Sequence, residues 1–259
     1  MSATLRDAVY GLAMGDALGV PYEFLPRGSF ECAGMTGHGT HDQPAGTFSD
    51  DTSMALATCD SIRACGRVDV ADMRRRFEDW LFHGAYAVDG RVFDFGGTTA
   101  RALRSGRGCA GERDNGNGSL MRITPLAFTG ATDDEIREVS AITHAHELSR
   151  DLCVQYVHLL RAVARGERPE ELAAYEGTDA SGVASGGYVA DTYAAALWCL
   201  ANTSDYAGCV LAAVNLGSDT DTTAAVAGAL AGALYGAGSI PKNWLETLRG
   251  KDIIERCLF

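Results

Sequence analysis

Apolar residues along this chain recur mainly at spacings of three and four, the period of a helix with one buried face. Leu5, Val9, Leu12 and Ala13 open the series behind Ser2 and Thr4, both good helix caps. Met54, Leu56, Ala57 and Ile62 form a second apolar set; Val70, Met73, Phe77, Trp80 and Leu81 form a third. Ile136, Val139 and Ile142 follow the cap candidate Thr132. Leu152, Tyr156, Leu159, Leu160 and Val163 predict a long helix over 148–164. Further helices are predicted over 188–200, 206–214 and 220–235, with one or two short ones within 245–258. No run of alternating β-branched residues interrupts this pattern. The expected architecture is therefore all-α, a compact multi-helix domain spanning 1–259, joined by Gly-rich loops at 26–48, 84–98, 105–118 and 176–187. The Ala/Gly-rich stretch 224–237 belongs at its centre, where small side chains let helices approach closely.

Composition narrows the function classes. An apolar fraction of 46% is ordinary for a protein with a sizeable core. A net charge of −12 speaks against nonspecific binding to nucleic acid or to anionic membrane. It leaves phosphate-bearing substrates open, because bound cations reverse a local field. The eight cysteines show neither a CxxC nor a zinc spacing and read as reduced thiols, which points to the cytoplasm. The N-terminus, with Arg6, Asp7 and Asp16, has no signal-like apolar core, and the stretch 224–237 is too short to span a bilayer.

Two acidic clusters change the picture most. Gly46-Thr47-Phe48-Ser49-Asp50-Asp51-Thr52 and Gly217-Ser218-Asp219-Thr220-Asp221-Thr222 each crowd two carboxylates against hydroxyls ahead of an Ala-rich helical pattern. Two like charges ~4–6 Å apart repel by roughly 1 kcal/mol in water, and by more when buried. A fold that keeps four such carboxylates near its core needs a counter-charge, and Mg²⁺ and Mn²⁺ favour carboxylate and hydroxyl oxygens. Asp219 and Asp221 would sit about 200° apart on a regular helix, but at a loop-to-helix junction both can turn toward one ion. Either cluster alone reads equally well as a simple N-cap; their recurrence favours a metal site. His144 and His146 form an HxH pair without a third zinc ligand, so zinc is set aside.

In their order along the chain, several stretches carry a resemblance. They are Gly11-Leu-Ala-Met-Gly-Asp-Ala-Leu-Gly19, Glu23-Phe24, Gly46 to Thr52, Phe93-Asp94-Phe95-Gly96, Gly116-Asn117-Gly118-Ser119-Leu120-Met121-Arg122, Thr143-His144, Gly187 to Thr192, and Gly217 to Thr222. With these the chain resembles the ADP-ribosylglycohydrolase family. The resemblance implies an all-α fold with a central metal cleft holding two Mg²⁺ or Mn²⁺ ions. It implies Ser49, Asp50, Asp51, Asp219, Asp221 and Thr222 as ligands, with the ions binding the ribose diol and a water. Glu23 takes the place of the family's mobile acid near the scissile bond. Asp94 matches an acid that lies near the guanidinium in arginine-directed members, which suits the forked pairing of guanidinium with carboxylate.

The neighbouring Gly96, Gly97 and Thr98 are assigned to the substrate, although many relatives have Gly-Asn where this chain has Gly96-Gly97. Gly116 to Ser119, read as opening a helix, would cradle the diphosphate through Asn117, Gly118 and Ser119. Met121 and His144 would lie near the substrate, and Tyr188 would pack on adenine. The implied activity is hydrolysis of ADP-ribose from a protein side chain, arginine first, by a cytoplasmic monomer. The alternatives are the same chemistry on ADP-ribosyl-serine or O-acetyl-ADP-ribose, a metal phosphohydrolase, and a non-catalytic, crystallin-like relative.

Overall fold

The computed structural model describes residues 3–259. Eleven α-helices account for the architecture among them. They are α1 (Leu5–Gly19), α2 (Asp50–Cys65), α3 (Val70–His83), α4 (Gly97–Ser105), α5 (Asp133–Ala141), α6 (Glu147–Ala164), α7 (Val189–Ala201), α8 (Tyr206–Asn215), α9 (Thr220–Tyr235), α10 (Lys242–Thr247) and α11 (Lys251–Cys257). Among the described residues there is no sheet, only isolated bridges pairing His38 with Gln43, Cys109 with His144, and Gly116 with Tyr188. The expected all-α fold is therefore observed, with short 3-10 turns in the loops. No described helix is long and apolar enough to cross a membrane.

Local chemistry explains most boundaries. Thr4 and Asp7 form a capping box at the start of α1, as Thr132 and Glu135 do at α5. The other proposed cap, Ser2, lies outside the described residues. Helices α2, α3 and α4 all stop at a glycine in the left-handed conformation, Gly66, Gly84 and Gly106. His146 caps α6 by accepting a hydrogen bond from the Leu148 N–H.

The centre is the pair α1 and α9. Every described residue of α9 from Thr220 to Ala233 is buried. Along α1, Gly11, Gly15 and Gly19 fall on one face at four-residue spacing, against Gly228, Ala224 and Asp221 of α9. A Cβ on Gly15 would overlap the Ala224 carbonyl, and one on Gly19 would overlap the Asp221 backbone. The two axes approach this closely only because those side chains are missing. That approach fixes where the first turn of α9, with its acids, sits in the molecule.

Candidate active site

The two acidic clusters meet. Ser49 caps α2 and Asp50 and Asp51 form its first turn; Asp219 caps α9 and Asp221 lies in its first turn. Both acids of the first cluster thus belong to α2 itself and do not precede it. Asp51 Oδ2 accepts hydrogen bonds from Ser49 Oγ at 3.2 Å and from Thr222 Oγ1 at 3.4 Å, joining clusters 171 positions apart in the chain. Asp51 and Asp221 are fully buried, and Asp50, Ser49 and Thr222 nearly so.

The fit of these residues to a cation is visible in their oxygens. Asp51 Oδ1, Asp219 Oδ1 and Asp221 Oδ2 are buried with no hydrogen-bond partner. Orphaned buried carboxylate oxygens are costly and rare, so this donor set matches a hard divalent ion. Burial and mutual repulsion push Asp50, Asp51 and Asp221 well above the usual carboxylate range. Glu23 also belongs here: one of its oxygens lies within 4.8 Å of oxygens of Asp219 and Asp221.

Above this floor opens a cleft of about 310 Å³. It is lined by the acids Glu23, Asp50, Asp94 and Asp219 with Thr222, and by Gly96, Gly97, Thr98, Asn117, Gly118, Met121 and His144. Most of the sequence-predicted residues line this one cavity; Ser49, Asp51 and Asp221 are buried and do not line it, and Ser119 and Tyr188 also fall outside its lining. Ser119 lies beneath the wall, fully buried, and accepts hydrogen bonds from Ser140 and Cys153. Tyr188 follows Gly187 of the lining and is 45% exposed. The Gly116–Ser119 segment does not open an α-helix; it forms a single 3-10 turn, so no helix dipole aids an anion there. Asn117 is also engaged internally: its N–H donates to Gly187, and its side-chain amide donates to Asp219 and Thr192, at 2.9 Å each.

His144 forms the back of the glycine wall. Its Nδ1 pairs with Thr143 Oγ1 at 2.8 Å, and burial holds the ring neutral, with its pKa pushed down to about 3. A Cβ on Gly118 would come within 2.9 Å of this ring, which is why the position takes glycine. Behind it Arg122 is fully buried, its guanidinium 4.7 Å from the Phe77 ring centre and bonded to the carbonyls of Gly118 and Val139. Arg122 braces the wall from beneath.

Two contributors escaped the sequence reading. Asp16, within the Gly11–Gly19 stretch, is fully buried and accepts hydrogen bonds from Ser49 N (2.8 Å), Thr52 N (3.0 Å) and Thr52 Oγ1. It anchors the start of α2 from α1; burial raises its pKa to about 6. A lone carboxylate inside an apolar helix was the available signal. His41 hydrogen-bonds Glu23 through Nε2. It lies in an irregular Gly-rich loop, where periodicity carries no information.

An all-α fold with buried, unpartnered acids under a cleft defines a class of metal-fitting helical protein, and comparison with known proteins gives the family. The profile of the ADP-ribosylglycohydrolase family matches residues 2–258; this chain belongs to that family. It is 35% identical to ADP-ribosylarginine hydrolase Tri1 of Pseudomonas putida (strain GB-1) across 97% of this chain and 76% of that protein. It is 34% identical to ADP-ribosyl-[dinitrogen reductase] glycohydrolase of Rhodospirillum rubrum across 93% of this chain and 88% of the relative. A solved structure described as an ADP-ribosylglycohydrolase-related protein complex superposes with a TM-score of 0.82 at 34% identity, covering 98% of this chain and 95% of that one.

Proposed function

We propose that this protein hydrolyses the N-glycosidic bond between ADP-ribose and an arginine side chain of a modified protein, releasing ADP-ribose. The observation that carries the reading is the convergence of both acidic clusters, with three orphaned carboxylate oxygens, on the floor of a cleft that Asp94 also lines. The names of the relatives from Pseudomonas putida and Rhodospirillum rubrum support the same chemistry.

In this reading Ser49, Asp50, Asp51, Asp219, Asp221 and Thr222 hold two Mg²⁺ or Mn²⁺ ions. Bound there, the ions would supply positive charge for the ribose hydroxyls and make water a better nucleophile at neutral pH. The remaining work belongs to the chain. Glycoside cleavage builds positive charge on the ribose, and the carboxylates of Asp50 and Glu23 face it. Asp94 pairs with the guanidinium, a charge-assisted contact that holds the leaving group. Glu23, buried beside Asp219 and Asp221, is placed to hold or pass on a proton. Neutral His144, Gly118 and Met121 shape the wall against which the ADP-ribose lies, with Gly96, Gly97, Thr98 and Asn117 beside it and Tyr188 as the stacking face for adenine. Eight cysteines without a zinc spacing support a cytoplasmic setting.

The test is incubation with arginine-, serine- and acetyl-linked ADP-ribose, with Mn²⁺, Mg²⁺ or chelator, read by mass spectrometry. Free ADP-ribose from the arginine conjugate, dependent on the cation, is expected. Preference for the serine or acetyl ester would move the reading to that linkage. AMP with ribose phosphate would identify a phosphohydrolase, and no product from any conjugate would identify a binding protein.

A further inference from the structure

We infer that His41 is the positioning residue that sets the Glu23 carboxylate for turnover; the inference rests on the hydrolase reading above. Glu23 stands between two sets of groups. Its oxygens reach His41 and Asp94 on one side, and Asp219 and Asp221 on the other, each trio having ligand atoms within 4.8 Å of one another. A glutamate has three side-chain torsions, so the backbone alone does not decide which set its carboxylate serves.

The backbone around it is nevertheless tightly held. Phe24 N–H donates to the Ser218 carbonyl at 2.6 Å, and Ser218 N–H donates to Leu25 at 2.8 Å, which ties the Glu23 segment to the foot of α9. Thr40 Oγ1 donates to the Glu23 carbonyl at 2.6 Å. A Cβ on Gly39 would overlap the Pro21 carbonyl, so the two loops touch backbone to backbone. What is left free by these contacts is the side chain, and His41 takes it: Nε2 of His41 bonds Oε2 of Glu23.

His41 is itself fixed in the manner of a support. Its side chain is 14% exposed. Its ring contacts two others, Phe24 with centroids 6.0 Å apart and Phe93 at 5.4 Å, both tilted. Its carbonyl accepts from Gln43 Nε2 at 2.8 Å, and Gln43 in turn pairs with His38 across the loop. Two ring contacts restrict its rotation, so Oε2 of Glu23 is committed to the histidine. The same carboxylate keeps an oxygen within 4.8 Å of ligand oxygens of Asp219 and Asp221. Phe93 precedes Asp94, so the same ring also links Glu23 to the loop carrying the aglycone-facing acid.

The test compares His41→Phe, which keeps the ring and its packing, with His41→Gln, which restores an N–H donor. With Mn²⁺ and arginine-linked ADP-ribose, H41F is expected to lower kcat by at least about tenfold while the Kd values for Mn²⁺ and free ADP-ribose stay within about threefold. H41Q should recover most of the loss. In a Glu23→Gln background, H41F should change the residual rate by less than about twofold, because no carboxylate remains to orient. A loss below about threefold in H41F, or an equal loss in both backgrounds, overturns the inference. Crystals of H41F read it without catalysis: Glu23 should leave its present position, and an unmoved carboxylate also overturns it. A wild-type protein that leaves every conjugate intact sinks the hydrolase reading instead, and the crystals then decide on His41 alone.

Discussion

The floor of the cleft and its rim are built by opposite means. The floor acids sit at the starts of two largely buried helices, α2 and α9, and α1 fixes the start of α2 through Asp16. The rim acids, Glu23 and Asp94, lie in loops beside exposed aromatics, Phe24 at 66% and Phe95 at 41% exposure. At the rim the backbone is strained: Phe24 has φ +65° and Asp94 has φ +49°, in the left-handed region that ordinary side chains avoid. Each such residue costs about 1–2 kcal/mol. The floor carries both kinds: Ser218, next to Asp219, has φ +64°, and buried like charges add electrostatic strain. The contrast suggests a division of labour: the part that would hold ions is rigid and intolerant, and the part that would meet the modified side chain is held in shape locally.

The largest effect should come from the floor. Asp221→Ala is expected to reduce turnover by about a thousandfold or more and to abolish Mn²⁺ binding by calorimetry, with the helical circular dichroism retained. Undiminished turnover of the wild type after chelation would falsify the metal role. Next, the packing behind the floor can be set against the rim. Gly15→Val, forced into the Ala224 carbonyl, should cost about 3 kcal/mol in urea unfolding. Phe24→Gly, which relieves a positive φ, should leave stability within about 1 kcal/mol of the wild type. Equal losses from the two would erase the contrast.

At the rim, Asp94→Ala should lower kcat/KM on arginine-linked substrate by about 10–100-fold, with the Kd of ADP-ribose within about threefold. An equal loss on serine-linked substrate would show that Asp94 does not face the guanidinium. The last effect is on stability against pH. Asp16 and Glu23 have folded values of about 6 and about 8, above their unfolded values, and the value of His41 is raised as well. The folded state therefore binds more protons than the unfolded state, and metal-free stability should fall as pH rises from about 4 to about 8. Melting curves across that range should slope downward in chelator and flatten with Mn²⁺; a rising slope in chelator would contradict the raised values.

Helix content was largely legible along the chain. The span predicted for 220–235 coincides with α9, because its alanines and leucines outweigh the two interior glycines, Gly228 and Gly232. The acids at Asp50, Asp51, Asp219 and Asp221 were legible as a candidate metal set from their hydroxyl-rich surroundings. The turn at Gly116–Ser119 was misread as a helix start, since Gly and Asn at such a position serve a cap and a 3-10 turn alike. Ser119 reads as a loop hydroxyl until its burial beneath the wall is seen. His41 had no local signal: its importance comes from Glu23, eighteen residues away in the chain.

The order of residues by itself determined most of the helices, several of their caps and the four crowded carboxylates, because periodicity and capping act over a few residues; α4, between two Gly-rich loops, was not among them. Only the tertiary structure decided that Asp51 and Thr222 touch, that Asp16 secures the start of α2, and that His41 closes on Glu23. Those meetings depend on how closely α1 can lie against α9, a distance set by three missing side chains on α1 facing small residues and backbone on α9. Contacts of that kind arise from packing across the whole chain, and no short-range pattern carries them.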